Sequence, residues 1–98
     1  MDRIDILVAY DVETSLDGPR RLARVAKICK NFGQRVQLSV FECRLTKAQL
    51  IDLEAKLTNV MLPERDSLRI YLLVGDRKTY LRTFGRDRYE DFDDPLIL

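Results

Sequence analysis

The chain has 98 residues, a formal net charge of +1 and no histidine; that length holds one domain with one modest core, small enough that self-association is the default expectation. The near-zero charge excludes a global field drawing the chain to nucleic acid or a membrane, so any such preference must come from local clustering. The lack of histidine excludes Ser-His-Asp and Cys-His catalysis, His-ligated zinc and a His general base, and leaves Asp, Glu, Lys, Tyr and Cys for acid–base or metal chemistry.

The first element is a strand over Arg3–Tyr10, with Ile4, Ile6, Val8 and Tyr10 on one face and Leu7 and Ala9 on the other. Both faces are apolar, so the strand is expected at the centre of a sheet and covered on both sides. It ends on Asp11, a carboxylate where the chain leaves the sheet. Residues 13–18 read as a turn-rich loop. Asp17 or Gly18 can cap the next helix, and Pro19 suits its first position. That helix, Arg20–Phe32, places Leu22, Val25, Ala26, Cys29 and Phe32 at core spacing, and Gly33 reads as its C-terminal cap. Its outer face carries Arg20, Arg24 and Lys27, flanked by Arg21 and Lys30, with no acid in the helix.

Arg35–Leu45 is extended, but its phase changes: Val36, Leu38 and Val40 are apolar at even positions, then Phe41, Cys43 and Leu45 at odd ones. One straight strand cannot bury both sets. The chain either bulges near Ser39–Phe41 or makes two short strands with a tight break. Thr46-Lys47-Ala48-Gln49 is a capping box, so a helix starts there, with Leu50, Leu53, Leu57 and Val60 or Met61 as its buried stripe and a mixed-charge outer face. Pro63 closes it. Leu68–Val74 is a further apolar strand with Leu68, Ile70, Leu72 and Val74 on one face, residues 75–78 turn, and Tyr80–Phe84 reads as a short edge strand. Residues 85–98 are charged and end in the apolar triplet Leu96-Ile97-Leu98, able to add to a neighbour's sheet edge.

With the split strand, the order is βαββαβ: an α+β, ferredoxin-like sandwich with both helices on one sheet face and a short extra C-terminal strand. The domain is expected over 1–84, and 85–98 is expected as a tail, flexible or docked on a partner. Leu7, Ala9, Tyr71 and Leu73 are too apolar to leave the other sheet face wet, and a homodimer packed through the sheet faces would cover it.

Asp11 has two readings. It can hold Mg²⁺, which commonly takes one or two carboxylates plus waters, or it can start a turn by bonding nearby amides. Converging strand ends in a two-fold dimer would pair two Asp11 carboxylates and favour the first; Glu13 and Asp17 are candidate helpers. The cations Arg20, Arg21, Arg24, Lys27 and Lys30, with Arg35 just beyond, are either a solvated face or a grip on phosphates. Phe41, Tyr71 and Tyr80 either stack on bases or pack the core. Ser39 either bonds a phosphate or satisfies backbone. Cys29 and Cys43 form no C-x-x-C pair and, with neither a leader-like start nor a long apolar run, are expected as reduced core thiols of a cytoplasmic protein without membrane attachment.

The strand ending Ala9-Tyr10-Asp11, the helix with Arg24-Val25-Ala26, the stretch Gly33-Gln34-Arg35-Val36-Gln37-Leu38-Ser39-Val40-Phe41-Glu42 and the late strand Arg69–Val74 together resemble CRISPR-associated protein two, over residues 1 to about 84. The resemblance implies a ferredoxin-like homodimer with a Mg²⁺-dependent phosphodiesterase site, Asp11 coming from each subunit at the dimer axis. It implies DNA or RNA as substrate, and partnership with the CRISPR integrase, CRISPR-associated protein one, in acquiring spacer DNA. By position, Arg24, Arg35, Ser39 and Phe41 match residues used around that site, and Arg20 or Arg21 covers another basic position. The function expected is therefore CRISPR adaptation with nucleic-acid binding, with or without endonuclease activity. The alternatives are a non-catalytic scaffold or a small regulatory domain that binds a metabolite.

Overall fold

The structure, a computed structural model, describes residues 2–90 and 92; the expected apolar triplet Leu96–Leu98 lies outside the described residues. Strand β1 (Ile4–Asp11) is followed by helix α1 (Gly18–Phe32), strands β2 (Gly33–Gln37) and β3 (Val40–Leu45), helix α2 (Lys47–Val60), strand β4 (Ser67–Leu73) and a single helical turn, α3 (Arg77–Tyr80). The four strands form one antiparallel sheet in the order β2-β3-β1-β4. With α1 and α2 packed against each other on one face, this is the ferredoxin-like sandwich.

The pairing register shows why these residues build that sheet. Val8 lies opposite Phe41 on one side and Ile70 on the other, and Ile6 opposite Cys43 and Leu72. Alternation then directs this whole row to the helices, where Ile6, Val8, Phe41 and Cys43 join Val25, Cys29, Leu53 and Leu57 in the core. Burial pushes the Cys29 thiol up to about 11 and the Cys43 thiol up to about 12, and both are free. The phase change resolves as two strands joined by the two-residue turn Leu38–Ser39, with an additional bulge between Arg35 and Gln37 that leaves Val36 without a partner on β3. Helix α2 starts on the reciprocal capping box of Thr46 and Gln49 and buries Leu50, Leu53 and Leu57, with Met61 closing the stripe.

Three sequence expectations are corrected. Leu22 is not core; it is 40% exposed, because the entry of α1 turns Arg21 inward instead. Gly33 does cap α1 as expected, its amide donating to the Cys29 carbonyl, but its φ of −166° is open to any residue. Glycine is needed there for closeness: a Cβ would lie 2.4 Å from both the Cys43 sulfur and the Glu42 carbonyl oxygen. Val74 lies past the end of β4 and is exposed. The extra strand over Tyr80–Phe84 does not form among the described residues. Asp76 instead caps a helical turn by accepting from the Lys78 amide, and Leu81–Phe84 runs unpaired.

That turn matters for the second sheet face. Arg77 reaches back to Glu42 on β3 with two bonds of 3.1 Å and lies 3.5 Å above the Tyr89 ring. Gln34 and the Glu90 backbone exchange two hydrogen bonds of 2.6 and 2.8 Å. The chain's own C-terminal segment therefore covers the β2–β3 side of this face and buries Glu42. The β1–β4 side, with Leu7, Ala9, Leu73 and the half-exposed Tyr71, stays open.

Candidate functional site

Asp11 is the last residue of the central strand, exposed, and opposite Ser67 of β4. It shares its sheet face with Ala9 and Leu7, which lie opposite Arg69 and Tyr71. Arg69 donates a 2.9 Å hydrogen bond to the Tyr71 hydroxyl, so a cation is held in the row next to Asp11. Sequence reading passed over Arg69. The signal was there: it is the one charge inside an apolar strand, at the phase that points away from the helices.

The loop after Asp11 is shaped by a buried ion pair that sequence reading also missed. Leu16 and Asp17 both have positive φ (48° and 62°), and Gly18 packs so closely that a Cβ would meet the Glu13 carbonyl oxygen at 2.1 Å. This fold of the loop directs the Glu13 and Leu16 carbonyls at the Arg21 guanidinium, which donates to both. Arg21 also forms a two-pronged pair with Asp66, in the turn before β4, at 2.7 and 3.1 Å. Asp66 in turn accepts from the backbone amides of Leu62 and Glu13 at 2.8 and 3.1 Å. The Arg21 pair, with those two amides, holds the Asp66 carboxyl down at about 2. Asp66 thus ties β1, α1, α2 and β4 together beside Asp11. Glu13 is not poised beside Asp11; it bonds Ser15 and, at 3.0 Å, Arg65.

The basic helix is consequently split. Arg20, Arg24 and Lys27 are exposed, whereas Arg21, expected on the same surface, is buried in the Asp66 pair and cannot reach a ligand. Phe41, expected to stack on a base, is fully buried and stacks instead on Tyr10, ring centroids 6.2 Å apart. The Arg35 guanidinium lies 5.2 Å above the Phe41 ring. Ser39 sits in the β2–β3 turn, where its carbonyl accepts from the Tyr10 amide at 3.1 Å. Lys27, Arg35 and Ser39 line one open cleft between α1 and that turn, and Asp11 follows the cleft residue Tyr10 directly.

Among the described residues, no group of three or more Asp, Glu, Cys or His side chains could hold a metal ion. The family model for CRISPR associated protein Cas2 matches residues 4–80. The chain belongs to the Cas2 family. It is 48% identical over 93 residues to the CRISPR-associated endonuclease Cas2 of Halalkalibacterium halodurans, covering 94% of this chain and 97% of that one. It is 47% identical over 94 residues to the CRISPR-associated endoribonuclease Cas2 1 of Moorella thermoacetica, covering 95% and 98%. Its fold matches the crystal structure of Streptococcus pyogenes Cas2 at pH 6.5 with a TM-score of 0.74 and 44% identity, over 83% of this chain and 99% of that one.

Proposed function

We propose that this chain acts in CRISPR adaptation as a homodimer that binds nucleic acid, works with the CRISPR integrase in capturing and inserting spacer DNA, and cleaves phosphodiester bonds with a divalent cation. The observation that carries the reading is the place of Asp11: an exposed carboxylate at the end of the central strand, on the border of a sheet face whose β1–β4 side is apolar and open. Burying Leu7, Ala9, Tyr71 and Leu73 against a second copy would bring two such strand ends together. The names of the relatives, endonuclease and endoribonuclease, support the nuclease element.

One chain offers a single carboxylate at this point and no soft ligand, a donor set suited to a hard cation such as Mg²⁺ as half of a shared site. Asp11 from each copy would hold it, and when bound it would supply charge neutralisation at the scissile phosphate. The chain's own residues do the rest. The Arg69–Tyr71 pair faces the same surface and is placed to steady phosphate charge, while the Arg21–Asp66 pair fixes the backbone that follows Asp11. Residues 1–84 form the working unit. No described helix is long and apolar enough to cross a membrane, in keeping with a cytoplasmic site of action.

A scaffold-only role has one observation in its favour: Arg20 and Arg24 are exposed on a helix without acids, and gripping a backbone needs no Asp11. Replacing Asp11 with Asn separates the two. Metal-dependent cleavage of RNA or DNA should be abolished; if spacer integration then survives, the scaffold role is the physiological one, and if cleavage survives, Asp11 is not the metal ligand.

A further inference from the structure

The cleft between α1 and the β2–β3 turn has a volume of about 640 Å³, within the range of roughly 300–1,000 Å³ typical of small-molecule sites. Its lining combines two chemistries. Lys27, Lys30 and Arg35 bring three positive charges and no carboxylate lines it. Its apolar lining includes Leu22 and Leu38, which are 40% and 79% exposed. Both are large apolar side chains left wet at the mouth of the same cleft. Arg35 also retains a buried Nε–H with no acceptor, an unanswered donor of the kind folded proteins rarely keep without reason. Tyr10 also lines the cleft, and burial pushes its phenol above the usual value. The cleft thus offers cations to an anion and apolar surface to a flat or apolar body.

The geometry points to a nucleotide site: the phosphate of a nucleoside monophosphate, or of a phosphorylated strand end, held by Lys27, Lys30 and Arg35, with its base against Leu22 and Leu38. The choice of ligand rests on the reading of the chain as a nucleic-acid protein; the site itself rests on the cleft. A phosphate seated among the three cations answers the orphaned Arg35 donor with a small rotation of that side chain. The base covers the two exposed leucines. A bare phosphate would leave the leucines wet, and a nucleoside would leave the charges unmatched, so both should bind more weakly than the nucleotide.

The test is calorimetric titration at low salt with deoxyadenosine 5′-monophosphate, deoxyadenosine and inorganic phosphate. The nucleotide should bind saturably and at least about tenfold more tightly than either fragment. The doubly substituted Lys27→Glu/Lys30→Glu protein, altered only at exposed positions, should keep its circular dichroism and lose about tenfold or more in affinity. Leu38→Ser should narrow the gap between nucleotide and phosphate. No saturation, equal binding of phosphate, or binding unmoved by the lysine reversals overturns the site. Competition by short 5′-phosphorylated and 5′-hydroxyl oligonucleotides identifies the source. Displacement by the phosphorylated one alone assigns a strand end, and displacement by neither assigns a free nucleotide; both outcomes uphold the site. Titration reads binding without cleavage, so an inactive protein that still binds nucleotide would refute the nuclease reading and leave the cleft standing.

Discussion

Asp66→Ala is the sharpest test of how the loop beside Asp11 is held. The wild-type carboxylate is fully covered and accepts four hydrogen bonds, two from Arg21 and two from the amides of Leu62 and Glu13. Bonds to a charged group contribute about 1.5–3 kcal/mol each, and breaking one partner of a buried pair costs about 3–5 kcal/mol in total because the losses are not additive. Taking about 3 kcal/mol, and about 4–8 °C of Tm per kcal/mol for a domain of this size, the variant should melt roughly 12–24 °C lower. Differential scanning calorimetry at neutral pH measures this. The same residue sets a pH signature. Its carboxyl is lowered from 3.8 to about 2 on folding, so its contribution is complete above 3.8 and is lost as the pH falls through about 2. The gap between wild type and variant should therefore be constant from neutral pH down to about 4 and shrink below it. A Tm within a few degrees of wild type, or a gap that does not change on acidification, would refute the role given to Asp66.

Four further outcomes are expected. Asp11→Asn should abolish divalent-dependent cleavage while leaving the thermal midpoint within a few degrees of wild type, since the side chain is exposed. Arg20→Glu/Arg24→Glu should weaken duplex binding and reduce the slope of log affinity against log salt by about 2, one per lost phosphate contact; Arg21, which is buried, should contribute nothing to that slope. Gly33→Ala should lower the urea-unfolding free energy by about 1–3 kcal/mol, because the new Cβ meets Cys43 and Glu42 where no flexible side-chain end can give way. Neither thiol should react with a disulfide reagent at pH 8 in the native protein, being buried and held at about 11 and about 12, and both should react once the chain is unfolded in urea.

What could be read from the sequence follows how local each determinant is. The Ile4–Tyr10 alternation and the Thr46–Gln49 capping box are complete within a few residues, and both elements stand where they were expected. The odd–even break at Ser39 was also legible, because a phase error has only two geometric cures; the chain uses a turn and a bulge together. The residues that shape the site were hidden because their partners are distant. Arg21 looked like one more surface cation, since Asp66 lies 45 positions away. Leu22 then faced outward as a consequence of Arg21 facing in. Glu42 gave no sign of the Arg77 that buries it, 35 positions on, and the strand expected over Tyr80–Phe84 gives way to a helical turn over Arg77–Tyr80. Gly33 stands at the end of α1 as expected, but that the residue there must be glycine follows from its contact with β3, which only the packed sheet reveals.

The pairing of two Asp11 carboxylates across a dimer is the step on which the functional reading turns. It is tested most directly by replacing Asp11 with Cys and treating the folded protein with a short homobifunctional thiol reagent. The buried Cys29 and Cys43 stay out of reach of that reagent. If the strand ends meet, most of the chain should migrate on a denaturing gel at twice its 11.5 kDa mass. Singly modified monomers under conditions where the wild type sediments as a dimer would show that the two Asp11 side chains do not converge.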